Sequence, residues 1–335
     1  MEKASKQIDK LVKAARRVVI IQPDNPDGDS LGSSLALEQI LMELNKDTVM
    51  VCGVNIPSYL SYLPGKDRVE TEIPNDFDLS ILVDTSAISL INNLLAADPS
   101  VKHRLSSKPL IILDHHASES SIDFASLRLN VADASATSEV IYRLAKDLNW
   151  PMNLAAKNAM AAAILSDTLG LTSPSTSPKT MYVMAELVEG GVSLSALENA
   201  RRDMMRKSPE LVRYKGSLLQ RIEYYDNDRI ALLTIPWPEI EKYSPSYNPS
   251  MLAIDDMRLT TNTIVAVALK QYPEGKITGK IRTNYGYPIA AKLAEAFKGG
   301  GHEYASGFKL LGEVDIETLK KEIVNKSMEL LDEVI

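Results

Sequence analysis

The sequence predicts a two-domain α/β protein: a parallel-sheet domain with flanking helices, a helical connector, and a smaller domain built on a mixed sheet with helices. Three observations carry the expectation. At 335 residues the chain is long for one compact core. Its first half alternates apolar runs of strand length with helical patterns, as parallel α/β sheets do. Its last third changes texture, to strands joined by turns and followed by helices. The expected boundaries are 1–190 for the first domain, 191–218 for the connector and 219–335 for the second, with a cleft between the domains.

Residues 18–21, 48–52, 79–83 and 110–113 are short, unbroken and rich in β-branched residues or leucine, the composition of strands buried on both faces. Between the first two, Leu37, Ile40, Leu41 and Leu44 recur at helical spacing behind Asp29 and Ser30 as caps. Residues 138–148 and the alanine-rich 155–165 read as further helices. From about 190 to 219 the pattern is helical and charged, with Arg201, Arg202, Asp203, Arg206 and Lys207. Strands are then expected at 229–235, 263–269 and 276–282, with a turn at 272–275. Two helices follow, 288–297 with Pro288 in its first turn, and 315–334 with Leu319, Ile323, Leu330 and Leu331 on its apolar side.

Hydrophobic residues make up 45% of the chain and charged ones 24%, which predicts a folded soluble protein rather than a disordered one. The apolar runs fall far short of the roughly 20 residues that cross a bilayer. Residues 1–13 mix acid and base and lack the apolar core of a secretory signal, so a cytoplasmic protein with no membrane partner is expected. The single cysteine, Cys52, sits in an apolar run and reads as a buried strand thiol. The formal charge of −7 argues against holding long nucleic acid through a basic face. A small anion would need a local basic pocket or metal ions.

The informative pattern is where the strands end. The first leads into Asn25-Pro26-Asp27-Gly28-Asp29-Ser30, the third stops at Asp84, the fourth at Asp114-His115-His116, and the alanine-rich helix runs into Ser166-Asp167-Thr168. In an open parallel sheet these ends share one edge, where ligands of α/β proteins sit. Taken singly, each acid reads as a turn residue or a helix cap. Taken together, four acidic motifs at element ends describe a carboxylate cluster that cations must satisfy. Oxygen ligands with imidazole suit Mn²⁺ or a similar ion, and two such ions would generate hydroxide and clamp a phosphoryl group for in-line attack.

These four segments resemble the motifs of the DHH phosphoesterases, and Gly299-Gly300-Gly301-His302-Glu303-Tyr304-Ala305-Ser306-Gly307 resembles the glycine-rich signature of the DHHA1 domain. The nanoRNase/pAp phosphatase subgroup is similar in length. The resemblance implies two Mn²⁺ ions, with Mg²⁺ or another divalent ion as a substitute. Asp27 and Asp84 would hold one, and Asp29, Asp84, His115 and Asp167 the other. It further implies that Asp114 orients the histidines, that His116 contacts the phosphate, and that Arg282, Gly299, Gly300, Gly301, His302 and Ser306 bind substrate. Asn130 and residues 134–139 also look like a family segment, read first as helix capping and second as a substrate contact.

In the family a histidine usually stands four residues before the first motif aspartate, and here that place is Pro23, which offers no side-chain ligand. Gln22, Asp24 or Asn25 would have to substitute, or the first ion would bind weakly. Activity is expected all the same, because every other motif residue is present. The expected substrate is a short oligoribonucleotide or nucleotide, such as nanoRNA, pApA or pAp, with no long nucleic acid as partner and a homodimer left open. Two alternatives remain: a pyrophosphatase or polyphosphatase sharing the first domain, and a nucleotide-binding module that lost turnover through Pro23.

Overall fold

The computed structural model describes residues 2–117, 119–312 and 314–334, in two units, Met1–Arg206 and Lys207–Ile335. The division falls within the charged helical stretch, between two helices capped by Ser193 and Ser208. Among the described residues no helix is long and apolar enough to cross a membrane.

The first unit runs α1 (Glu2–Ala14), β1 (Arg17–Gln22), α2 (Gly28–Glu43), β2 (Asp47–Cys52), β3 (Val69–Glu70), β4 (Leu79–Val83), α3 (Asn92–Ala97), α4 (Ser100–Ser106), β5 (Leu110–Asp114), β6 (Leu127–Asn130), α5 (Thr137–Leu148), α6 (Leu154–Asp167), α7 (Pro178–Glu189) and α8 (Leu194–Met204). Its strands form one parallel sheet in the order β3-β2-β1-β4-β5-β6. Alternate residues of β1 serve opposite layers. Val18 and Ile20 pack with α2, α5 and α6, whereas Val19 and Ile21 pack with α3 and α4. The strand order reverses between β1 and β4, and such a switch point opens a crevice at the carboxyl ends of the strands. The start of α2 presses on the end of α6: a Cβ on Gly28 would lie 2.1 Å from Ser166 Oγ. That close approach brings the acids at the two helix ends toward one place.

The second unit runs α9 (Pro209–Leu219), β7 (Glu223–Tyr225), β8 (Ile230–Ile235), α10 (Trp237–Tyr243), α11 (Pro249–Arg258), β9 (Val265–Gln271), β10 (Ile277–Thr283), α12 (Ala290–Glu295), β11 (Gly300–His302), β12 (Ala305–Leu310) and α13 (Ile316–Asp332). The sheet order is β11-β12-β10-β9-β8-β7, with β8 and β9 parallel and the other pairs antiparallel. Helices α12 and α13 cover one face and α9 to α11 the other. The mixed sheet is therefore as expected, although the helix anticipated from Pro288 starts only at Ala290. The Ile289 N–H turns back to Tyr287 and the Ala290 N–H pairs with Glu303, so Pro288 lies in a loop.

Candidate active site

At the carboxyl edge of the first sheet, the segments after β1, β4 and β5 meet the end of α6. His115 Nε2 stands 3.8 Å from an Asp29 oxygen and 3.7 Å from oxygens of both Asp84 and Asp167. Its Nδ1 lies 3.3 Å from the Ala134 carbonyl. A carbonyl only accepts, so Nδ1 carries a proton and Nε2 is the ring atom that faces the three carboxylates. The three converging carboxylates repel one another, and a cation among them relieves that repulsion. Two sets of ligand atoms lie within 4.8 Å of one another, Asp29 with His115 and Asp167, and Asp84 with His115 and His116. The donors are carboxylate oxygen and imidazole nitrogen, which fits a divalent ion such as Mn²⁺ better than a thiolate-seeking one.

Each acid is held differently. Asp27 caps α2, its Oδ1 accepting from the N–H groups of Asp29 and Ser30 at 3.0 Å each. It is exposed and stands outside both ligand sets. Asp29 is buried, and its oxygens accept from the N–H groups of Thr137 and Ser138 at 2.7 and 3.2 Å. Helix α5 has no side-chain cap of its own at Ala136, so Asp29 supplies the charge that its N-terminus favours. Asp84 follows β4 with φ +62°, a left-handed backbone that asparagine and aspartate tolerate better than most residues. Its carboxylate accepts from Thr137 Oγ1 at 3.0 Å. Burial, then the charges of Asp29 and Asp27, push its pKa well above the carboxylate range. Burial and the Asp29 charge likewise raise Asp167.

Asp114 behaves in the opposite sense. Burial would raise its pKa, but hydrogen bonds from His116 and Ser86 outweigh burial and hold it below the usual value. His116 Nδ1 is 2.7 Å from Asp114 Oδ1, and that bond raises the histidine's pKa against the opposing effect of burial. Half of the His116 side chain remains open to solvent, so a hydrogen-bonded imidazolium can face an anion.

Around Pro23 the backbone carbonyl accepts from the buried Cys52 thiol at 3.3 Å. Asp24 is turned to the other layer, where its Oδ2 accepts from the Asn93 N–H of α3 at 2.8 Å. Gln22 is fully buried, and among the described residues neither its Oε1 nor its Nε2 has a hydrogen-bond partner. Its neighbours along the sheet are Cys52 in register and, one residue on from the Ile21–Leu82 pair, Val83 beside Asp84.

In the second unit, β10 alternates strictly, with Ile277, Gly279, Ile281 and Thr283 buried and Lys280 and Arg282 half-buried on the opposite face. Burial, then the charges of Arg282 and Lys270, depress the Lys280 pKa, and burial with Arg258 depresses that of Arg282. Arg282 Nη1 donates to the Ile281 carbonyl at 2.9 Å, and among the described residues no carboxylate forms an ion pair with it. The neighbouring strand contributes Ala305 and Gly307 in register with Arg282 and Lys280.

Comparison with known proteins adds the decisive observation. The family model described as DHH family, N-terminal domain, matches residues 17–168, the span that carries Asp27, Asp29, Asp84, Asp114, His115, His116 and Asp167. Residues 17–168 carry a DHH family N-terminal domain. The chain is 26% identical to the bifunctional oligoribonuclease and PAP phosphatase NrnA of Bacillus subtilis over 91% of this chain and 95% of that protein. It is also 26% identical to the protein of the same description from Thermus thermophilus, over 86% of this chain and 82% of that one. An exopolyphosphatase-related protein of Bacteroides fragilis shares the fold, with a TM-score of 0.79 at 22% identity over 99% of this chain and 98% of that one.

Within that domain the geometry brings together Asp29, Asp84, His115, His116 and Asp167, with Asp114 behind His116. Thr137 and Ser138, in the 134–139 segment read as helix capping, fix the orientation of Asp29 and Asp84. Ser86, which holds Asp114, escaped the sequence reading. In the second unit, Gly299 closes α12 by donating its N–H to Ala294 at 2.8 Å, and a Cβ there would lie 2.2 Å from the Gly307 carbonyl. Gly301 has φ +143° and is equally crowded, whereas Gly300 faces open space and His302 is exposed. Ser306 is buried, its hydroxyl donating to the Ala290 carbonyl on the side of α12, opposite the face of Arg282.

Proposed function

We propose that this DHH protein hydrolyses phosphate esters of very short oligoribonucleotides and nucleotides, cutting pApA to mononucleotides and removing phosphate from pAp, with Mn²⁺ as its ion. The observation that carries the reading is His115 Nε2 facing oxygens of Asp29, Asp84 and Asp167. The likeness to two proteins named for oligoribonuclease and PAP phosphatase activity supports the substrate class.

In this reading Asp29, Asp84, His115 and Asp167 would hold one ion, and Asp27 with Asp84 would hold a second. Divalent ions there would lower the pKa of water and neutralise charge on the phosphoryl group. The remaining work belongs to the chain. Thr137 and the N-terminus of α5 aim Asp84 and Asp29. Asp114 holds His116 protonated at Nδ1 and Nε2, so that Nε2–H can be donated to a phosphoryl or leaving oxygen. Arg282, with the N–H groups around Gly300 and His302, would fix a terminal phosphate. The domain roles follow, with chemistry in residues 1–190, a helical connector over 191–218 and substrate recognition in 219–335.

The test is hydrolysis with Mn²⁺ of pApA, pAp and pyrophosphate by the full chain. Release of AMP from pApA and phosphate from pAp is expected, with pyrophosphate left intact. Cleavage of pyrophosphate alone would overturn the reading. Pro23 in place of a ligand favours one alternative, a nucleotide-binding module, and tight binding without cleavage under any divalent ion would establish it.

A further inference from the structure

Tyr285 is 90% exposed, yet it is fixed in place. It follows Asn284, whose Nδ2 donates to the carbonyls of Arg258 and Thr263 at 2.9 and 2.7 Å and whose Oδ1 accepts from Arg258 Nε at 3.2 Å. The Asn284 carbonyl accepts from the Tyr287 N–H at 3.1 Å, and Gly286 has φ +92°, the glycine conformation of a tight turn with Tyr285 at its corner. Tyr304 lies beside it, its ring 6.0 Å away and 17° from parallel, and its carbonyl accepts from the Thr283 N–H at 3.1 Å. One face of the Tyr285 ring is thus ordered by a stacked partner while most of the residue stays in water. Folding gains little from an aromatic side chain held that way.

The surroundings supply what a packing role does not. Arg282 is three residues before Tyr285, with no carboxylate partner among the described residues, and Arg258 is tied to the turn through Asn284. A flat aromatic surface three residues along the chain from a guanidinium that has no carboxylate partner among the described residues matches a ligand with a planar ring at one end and a phosphate at the other.

We infer that Tyr285, backed by Tyr304, is a stacking shelf for a nucleobase whose phosphate Arg282 holds, so that the second unit binds a nucleotide as a whole rather than a phosphate alone. The inference rests on the proposed function, of which it specifies the substrate recognition. Inorganic and sugar phosphates lack the ring and lose the shelf's contribution. Tyr285 is then a specificity residue, and phenylalanine should replace it.

The experiment is calorimetric titration of the full chain in EDTA with AMP and with ribose 5-phosphate, for wild type, Tyr285→Ala and Tyr285→Phe. The wild type should prefer AMP by about tenfold or more, the size of one base–aromatic stack. Tyr285→Ala should lose most of that preference with ribose 5-phosphate binding unchanged, and Tyr285→Phe should keep it. Equal affinities in the wild type, or an intact preference in Tyr285→Ala, would overturn the shelf. So would absence of AMP binding by a protein that still cuts pApA, and in each of these cases the proposed function survives. Failure both to bind AMP and to cut pApA would remove the two together.

Discussion

Replacing Asp84 by asparagine should stabilise the metal-free first unit and at the same time abolish its response to divalent metal. Asparagine suits the site, because it tolerates the φ of +62° and its Oδ1 can still accept from Thr137 Oγ1. What it removes is a buried charge. Asp29 and Asp84 oxygens lie 3.8 and 3.7 Å from the same His115 nitrogen, which bounds their separation at about 7.5 Å. At an effective dielectric constant of about 20 the repulsion is then about 2 kcal/mol or more. For a unit of this size that corresponds to a rise in Tm of about 4–8 °C. The sign follows from the raised pKa of Asp84. Its protonated form favours the fold below the ordinary carboxylate range, and that stabilisation is lost as pH rises through the folded-state value. The gain from asparagine should therefore be full above the folded-state pKa of Asp84 and shrink as pH falls through it and the wild type takes up its proton. With Mn²⁺ at about 100 times its Kd the wild type gains about 2.7 kcal/mol and the variant does not, so the order of stabilities inverts. Thermal melts of both proteins in EDTA and in Mn²⁺, at two pH values, read all of this. A variant that melts below the wild type in EDTA at the higher pH, or a gap independent of pH, would refute the reasoning.

Three further outcomes are expected. Asp114→Asn removes the bond that raises the His116 pKa, so the alkaline limb of the kcat profile should move to lower pH. The rate should fall about 10- to 100-fold, the worth of one charge-assisted hydrogen bond, and an unmoved limb would exclude His116 as the acid. Pro23→His should lower the Mn²⁺ concentration for half-maximal activity on the order of tenfold, and an unchanged titration would show that this position does not face an ion. Gly299→Ala places a Cβ 2.2 Å from the Gly307 carbonyl and should destabilise the second unit by about 1–3 kcal/mol. Gly300→Ala, facing open space, should cost less than about 0.5 kcal/mol, and equal melts for the two variants would contradict the packing described.

Most of the first unit could be read from its sequence because parallel strands buried on both faces appear as unbroken apolar runs, and 18–21, 48–52, 79–83 and 110–113 fall on β1, β2, β4 and β5. The edge strands β3, β6, β7 and β11 are two to four residues long and partly exposed, too short for any periodicity to register. The acids of the site were legible because each stands at one end of an element. The contact that orients Asp29 was not, since Thr137 and Ser138 are more than 100 residues away and meet it only through the packing of α2 on α5. The left-handed backbone at Asp84 and the inward turn of Ser306 are likewise set by tertiary contacts. Tyr285 and Tyr304 gave no signal because 19 residues separate two tyrosines that the β10–β12 pairing brings side by side.

The central claim is that His115 and its three carboxylates form a cation site. Anomalous diffraction at the manganese edge, from crystals soaked in Mn²⁺, tests it directly. A peak is predicted among His115 Nε2, Asp29, Asp84 and Asp167, with a second, weaker one between Asp27 and Asp84. Manganese found only on other surface carboxylates, with none beside His115, would contradict the account.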